Sequence, residues 1–89
     1  MSIFILDFLM VEDKESLYDY LERVLRLPDW FGRNLDALYD VLEEFGTDTV
    51  IVLENTDYLK DVMGEYGEKM LSVIKEASEE PYSFILIEK

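Results

Sequence analysis

Three short apolar segments place the strongest constraint on the fold of this 89-residue chain. Residues 3–6, 49–53 and 83–87 are rich in β-branched or aromatic side chains, and apolar residues are nearly continuous within each segment. This pattern is typical of strands that are buried on both faces or that belong to a parallel sheet. The segments between them are long and show helical periodicity, as crossover connections between parallel strands require. The sequence therefore predicts an α/β fold with a three-stranded parallel sheet.

About four helices are predicted to pack against this sheet. Apolar residues recur at helical spacing over residues 14–26, with Asp13 as the expected N-cap, and again over residues 35–45. A short helix is expected near residues 58–63, and a last helix is expected to end near residue 80. Because 89 residues can build one modest hydrophobic core, we expect a single domain over residues 1–89.

Charge and composition exclude several classes of function. The chain has 21 acidic and 8 basic residues and a formal charge of −13, which argues against direct binding to nucleic acid or an anionic membrane. It contains no cysteine and no histidine, so thiolate nucleophiles, imidazole bases and the usual zinc ligands are missing. We therefore expect no enzymatic activity, no cofactor and no metal. The missing disulfides and the absence of a recognisable targeting signal favour the cytoplasm.

A turn before the second predicted helix presents two aromatic residues. Pro28 ends the preceding helix, and Gly32 supplies permissive backbone before the next one begins. Asn34 is a good N-cap for that helix. Trp30 and Phe31 lie at the bend, and the sequence leaves open whether they belong to the core or form an exposed interface anchor.

Acidic residues are segregated along the chain. Residues 34–59 contain seven acidic side chains and no basic one. Asp36 and Asp40 are four residues apart on the predicted helix and repel each other, although the helix dipole favours Asp36. They form either a solvated face or an anionic patch that meets a cationic partner. Paired carboxylates can also act as general acid and base, but a single convex helix is poorly suited to that chemistry. Their helical spacing does not match a calcium-binding loop.

The turn and the helix together resemble the barstar family. The family's pattern is Leu-Pro, an acidic residue, two aromatics, Gly, any residue, Asn-Leu-Asp-Ala-Leu, an aromatic and Asp, and residues 27–40 read LPDWFGRNLDALYD. The resemblance extends at lower similarity over nearly the whole chain. It implies a barstar-like fold and an intracellular protein inhibitor of a barnase-type, guanyl-specific microbial ribonuclease. It also implies a partner that is a basic, extracellular-type enzyme, and a free inhibitor that is monomeric.

The resemblance further implies a binding surface and a mechanism. The acidic helix and the preceding loop would occlude the basic active-site cleft of the ribonuclease, with Asp40 in the place of a substrate phosphate. The high negative charge would steer the encounter. Carried over residue by residue, the partner-binding residues are Trp30, Asn34, Asp36, Tyr39, Asp40, Glu76 and Glu80.

One residue of the motif segment conflicts with this electrostatic picture. Arg33 places a positive charge in the expected binding loop, where a cationic cleft disfavours it unless it points away or pairs with Asp29 or Asp36. The alternative function from the residues is an acidic interaction module for another basic or nucleic-acid-binding protein. A hydrolase that uses the acidic helix is the third hypothesis.

Overall fold

The computed structural model describes all 89 residues and contains a three-stranded parallel sheet and four α-helices, which confirms the predicted α/β fold. The strands are β1 (Ser2–Asp7), β2 (Thr49–Glu54) and β3 (Ile85–Glu88). The helices are α1 (Lys14–Leu25), α2 (Leu35–Leu42), α3 (Thr56–Met63) and α4 (Glu65–Ser78). Their order along the chain is β1, α1, α2, β2, α3, α4, β3, with one turn of 3-10 helix at Phe8–Met10 after β1.

Asp13 caps α1 as predicted. Its carboxylate accepts a hydrogen bond from the amide of Ser16 at 2.8 Å, and the Ser16 hydroxyl accepts one from the amide of Asp13 at 3.0 Å. The two residues thereby satisfy two backbone donors that the helix itself cannot pair. The bond from the Ser16 amide, followed by the interaction with the Ser16 side chain, lowers the pKa of Asp13.

The second helix is shorter than predicted and ends at Leu42 rather than near residue 45. The amides of Glu44 and Phe45 donate to carbonyls three residues earlier, those of Val41 and Leu42, so the chain tightens into a turn. The turn delivers the ring of Phe45 to the sheet, where it stacks on Phe4 with 5.9 Å between ring centroids. Aromatic packing on the sheet therefore accompanies the early end of α2.

The last strand begins two residues later than predicted. The hydroxyl of Ser83 donates to the backbone carbonyl of Ser78 at 2.7 Å, which ties Ser83 to the end of α4 instead of to the sheet. Phe84 is buried in the core, and Ile85 is the first residue of the strand to pair, with Val50 of β2.

The strand order places the helices on one face of the sheet. β2 lies between β1 and β3, and both pairs are parallel, so each connection steps in the same direction across the sheet. Crossovers of this kind are right-handed in nearly all proteins, and two that step in the same direction cover the same face. In agreement, Leu6, Ile51 and Leu53 from that face join the buried cluster to which the helices contribute.

The opposite face of the sheet is apolar and open. Ile3 and Ile5 of β1 and Ile85 and Ile87 of β3 are 44–61% exposed there, in register with two valines of β2. Parallel pairing is therefore confirmed. Burial on both faces holds only for β2, because its two valines lie between the isoleucines of β1 and β3. It is wrong for the two outer strands, whose side chains on the uncovered face are exposed.

The helices pack in an order that exposes one side of α2. Leu38 and Leu42 are fully buried, as expected, where α2 packs against α4. α4 approaches α3 closely at Gly67, where an added Cβ atom would lie 3.0 Å from the backbone oxygen of Leu59.

The longest helix, α4, has 14 residues, and none of the helices combines the length and apolar character needed to cross a membrane.

Candidate protein-binding surface

Asn34 begins α2 and fixes the end of the loop before it. Its side-chain oxygen accepts a hydrogen bond from the amide of Ala37 at 2.8 Å, which confirms the predicted N-cap. Its side-chain nitrogen donates to the carbonyl of Gly32 at 3.2 Å. The side chain of Asn34 therefore joins the loop to the first turn of α2. Asn34 itself is exposed to solvent.

The two aromatic residues of the loop have opposite environments. Phe31 is 5% exposed and packs against Tyr18 of α1, with 5.8 Å between ring centroids. Trp30 is 74% exposed. The amide of Phe31 donates to the carbonyl of Pro28 at 3.0 Å, which closes the turn that separates the two rings. Of the alternatives that the sequence left open, Phe31 belongs to the core, and Trp30 is exposed.

The two aspartates of α2 take part in no salt bridge, although Lys69 of α4 lines the same groove as Asp36. Asp36 and Asp40 are exposed, and neither takes part in an ion pair. Asp36 lies in the first turn, where the positive end of the helix dipole favours a carboxylate. Asp40 lies one turn later with no such support. Binding a cation at either carboxylate would break no existing salt bridge.

Tyr39 links α2 to the segment that follows α4. Its hydroxyl donates a hydrogen bond of 2.7 Å to a carboxylate oxygen of Glu80. This bond, more than partial desolvation and the nearby carboxylates, raises the pKa of Tyr39 to about 12. Glu80 was predicted on the last helix, but α4 ends at Ser78, so Glu80 lies in the turn beyond it.

A groove of about 500 Å³ lies between α2 and α4. It contains two of the predicted residues, Asp36 and Glu76, and two acidic residues that sequence reasoning missed, Glu65 and Glu68. Lys69 also lines the groove and forms a salt bridge of 3.2 Å with Glu65. Positions 65, 68, 72 and 76 follow helical spacing, so the shared face could have been found from the sequence. Their proximity to α2 depends on tertiary packing.

The structure brings the seven predicted residues together around α2. Asp36 and Asp40 occupy its exposed face, and Asn34 lies at its start. Trp30 lies on one flank, beside a shallow pocket shared with Val41 and Glu44. The opposite flank faces α4, and the remaining three residues lie there: Tyr39 on α2, Glu76 on α4 and Glu80 in the turn beyond α4.

Arg33 points away from this surface. Its guanidinium donates to a carboxylate oxygen of Glu22 at 2.8 Å, to one of Asp19 at 2.8 Å, and to the backbone carbonyl of Glu15 at 3.1 Å, all on α1. The bond to Asp19 and the neighbouring carboxylates raise the pKa of Arg33. The sequence left two alternatives for Arg33: it points away from the binding loop, or it pairs with Asp29 or Asp36. The first is observed, and the carboxylate partners of Arg33 are Glu22 and Asp19 on α1.

These features define a small acidic α/β domain with an exposed acidic helix and an exposed tryptophan in the loop before it. The sequence profile of the barstar family, described as barstar (barnase inhibitor), matches residues 1–85. YrdF of Bacillus subtilis strain 168, a candidate ribonuclease inhibitor, is 40% identical over 70 residues, which cover 78% of this chain and 77% of YrdF. The chain belongs to the barstar family, which confirms the resemblance and the prediction that it is an inhibitor rather than an enzyme.

Proposed function

We propose that this protein inhibits a barnase-type, guanyl-specific ribonuclease by covering its basic active site with α2 and the preceding loop. The observation that carries this proposal is the exposed face of α2, where Asp36 and Asp40 have no basic partner. The family description, barnase inhibitor, and the relative described as a candidate ribonuclease inhibitor support it.

The mechanism follows from the chemistry of phosphate recognition. A cleft that holds a substrate phosphate with cationic side chains also holds a fixed carboxylate through charge-assisted hydrogen bonds. The resemblance to the barstar family assigns the role of phosphate mimic to Asp40, which is exposed in the last turn of α2. Asp36 and Asp40 take part in no ion pair in the free protein, so no intramolecular salt bridge is lost when they enter the cleft.

The flanks of α2 supply the rest of the contact. Trp30 offers a large exposed apolar side chain of a type enriched among interface hot spots. On the other flank, the hydrogen bond between Tyr39 and Glu80 holds two partner-binding residues in place before the encounter. Because the two side chains are already ordered in the free protein, binding costs less side-chain entropy.

The proposal includes the setting in which inhibition occurs. The partner is a basic enzyme of extracellular type, and the inhibitor acts in the cytoplasm, where the enzyme would otherwise reach the host's RNA. The inhibitor is a monomer when free. Its net charge of −13 attracts the basic enzyme over a distance and speeds association.

The test is a titration of a barnase-type ribonuclease with this protein while RNA cleavage is followed. The parent protein should inhibit stoichiometrically. Asp40→Ala should weaken binding by about 2 kcal/mol or more, the range of an interface hot spot. Asp61→Ala removes the same charge from α3, outside the proposed surface, and should stay within about 0.5 kcal/mol of the parent. Equal losses in the two variants would contradict the role of Asp40.

A second function is favoured by the breadth of the acidic surface. Glu68 extends it along α4 beyond the residues that the family resemblance implies, next to Glu65, which is paired with Lys69 at 3.2 Å. A surface of this kind can also cover the phosphate-binding site of another basic or nucleic-acid-binding protein. Binding to several such proteins without inhibition of the ribonuclease would support this interaction module over the inhibitor.

A further inference from the structure

We propose that Arg33 is a positioning residue that fastens the recognition loop, residues 28–34, to α1. The loop belongs to a partner-binding surface only under the proposed function, so the effect of Arg33 on binding rests on that function. The fastening itself is a property of the free protein and is tested without a partner.

Three contacts from one side chain form the fastening. Two nitrogens of the Arg33 guanidinium reach Glu22 and Asp19, each at 2.8 Å, and one of them also reaches the backbone carbonyl of Glu15 at 3.1 Å. Positions 15, 19 and 22 lie on one face of α1, so the contacts span two helical turns. A planar guanidinium presents several donors in a fixed arrangement and can hold all three acceptors, whereas a lysine ammonium acts as a single centre.

The position of Arg33 makes this fastening relevant to recognition. It directly precedes Asn34, the cap of α2, and it comes three residues after the exposed Trp30. Phe31 anchors the other part of the loop in the core. Without Arg33, the segment from Gly32 to Asn34 would keep the bonds of the Asn34 side chain and the bond from the Leu38 amide to the Asn34 carbonyl, none of which reaches α1.

The backbone at Arg33 supports the same conclusion. Its φ of 54° lies in the left-handed region, which residues with a Cβ atom adopt rarely and only when other contacts favour it. The contacts to α1 supply that compensation.

A positioning role and a charge role predict opposite effects on binding. If Arg33 acted only through its charge, its removal would strengthen attraction to a cationic cleft and speed association. If it positions the loop, its removal makes part of the bound conformation rare in the free protein, and the complex dissociates faster. Arg33→Gln therefore separates the two roles by the sign of the change.

The first measurement is backbone ¹⁵N relaxation of the free protein. Arg33→Gln should lower the order parameters of residues 32–34 while those of α4 stay unchanged. The double variant Asp19→Asn with Glu22→Gln removes the acceptors and keeps Arg33, and it should reproduce the effect from α1. Lys60→Gln, which removes a positive charge from α3, is the control and should leave the loop unchanged. Unchanged order in Arg33→Gln and in the α1 variant would overturn the proposal.

The second measurement is the dissociation rate of the complex with the barnase-type ribonuclease used above. We expect Arg33→Gln and the α1 variant to dissociate about 5- to 10-fold faster than the parent and the Lys60→Gln control, a change within the usual range for interface variants. Slower dissociation or tighter binding of Arg33→Gln would overturn the positioning role. If the parent does not inhibit the enzyme, the proposed function fails, and the relaxation measurement still decides whether Arg33 fastens the loop.

Discussion

Truncation of the neighbouring aromatic residues Phe31 and Trp30 should produce opposite effects on stability and binding. Phe31 is 95% buried against Tyr18 and the core, so Phe31→Ala loses apolar burial and an aromatic contact and leaves a cavity. Such truncations cost about 3–5 kcal/mol. In a domain of this size, each kcal/mol lowers the melting temperature by roughly 4–8 °C, so the loss should exceed about 10 °C. Trp30→Ala removes a side chain that is 74% exposed and should change the free energy of unfolding by less than about 0.5 kcal/mol.

The assay is urea unfolding followed by far-ultraviolet circular dichroism, because Trp30 is the only tryptophan and its removal abolishes the fluorescence probe. The midpoint and slope give the free energy of unfolding of each variant. The ribonuclease titration then supplies the other half of the comparison, in which Trp30→Ala should weaken binding by about 1 kcal/mol or more. Equal destabilisation by the two variants would refute the division of roles between the rings.

Three further predictions follow from the sheet, from Tyr39 and from the net charge. Ile5→Thr on the open sheet face should cost less than about 1 kcal/mol of stability, whereas Leu6→Ala on the helix-covered face should cost about 2–5 kcal/mol; similar losses in urea unfolding would contradict the one-sided core. The bond from protonated Tyr39 to Glu80 raises the pKa to about 12, so its stabilisation is complete below pH 10 and is lost as the pH rises through 12. Glu80→Gln should return the pKa of Tyr39 toward 10 in an absorbance titration, and an unchanged value would refute the bond's role. Association with the ribonuclease should slow steeply with added salt in stopped-flow measurements, and a rate that ignores ionic strength would contradict steering.

Local signals in the sequence were sufficient for the elements and for the start of α2. The apolar runs located the three strands, and the caps Asp13 and Asn34 act as their side-chain chemistry indicates. The motif around Asp36 and Asp40 identified the family, and both aspartates lie exposed on α2. Both cap bonds join residues three positions apart, so a short window of sequence contains each of them.

The remaining features depend on contacts between distant segments. The partners of Arg33 lie 11 to 18 residues away on α1, and only packing of the loop against that helix brings them together. The open sheet face with Ile5 and Ile87 follows from the direction of both crossovers, which a run of apolar residues does not encode. The groove that joins Glu65 and Glu68 to α2 likewise depends on how α4 packs.

The most direct test of the central claim is competition between this protein and a small phosphate ligand for one ribonuclease. The dissociation constant of the complex would be measured by calorimetry at increasing concentrations of a guanosine monophosphate that occupies the active site. If α2 fills the phosphate site through Asp40, the apparent dissociation constant should rise in proportion to nucleotide without reaching a limit. A dissociation constant that stays the same, with a ternary complex of enzyme, inhibitor and nucleotide, would contradict active-site occlusion.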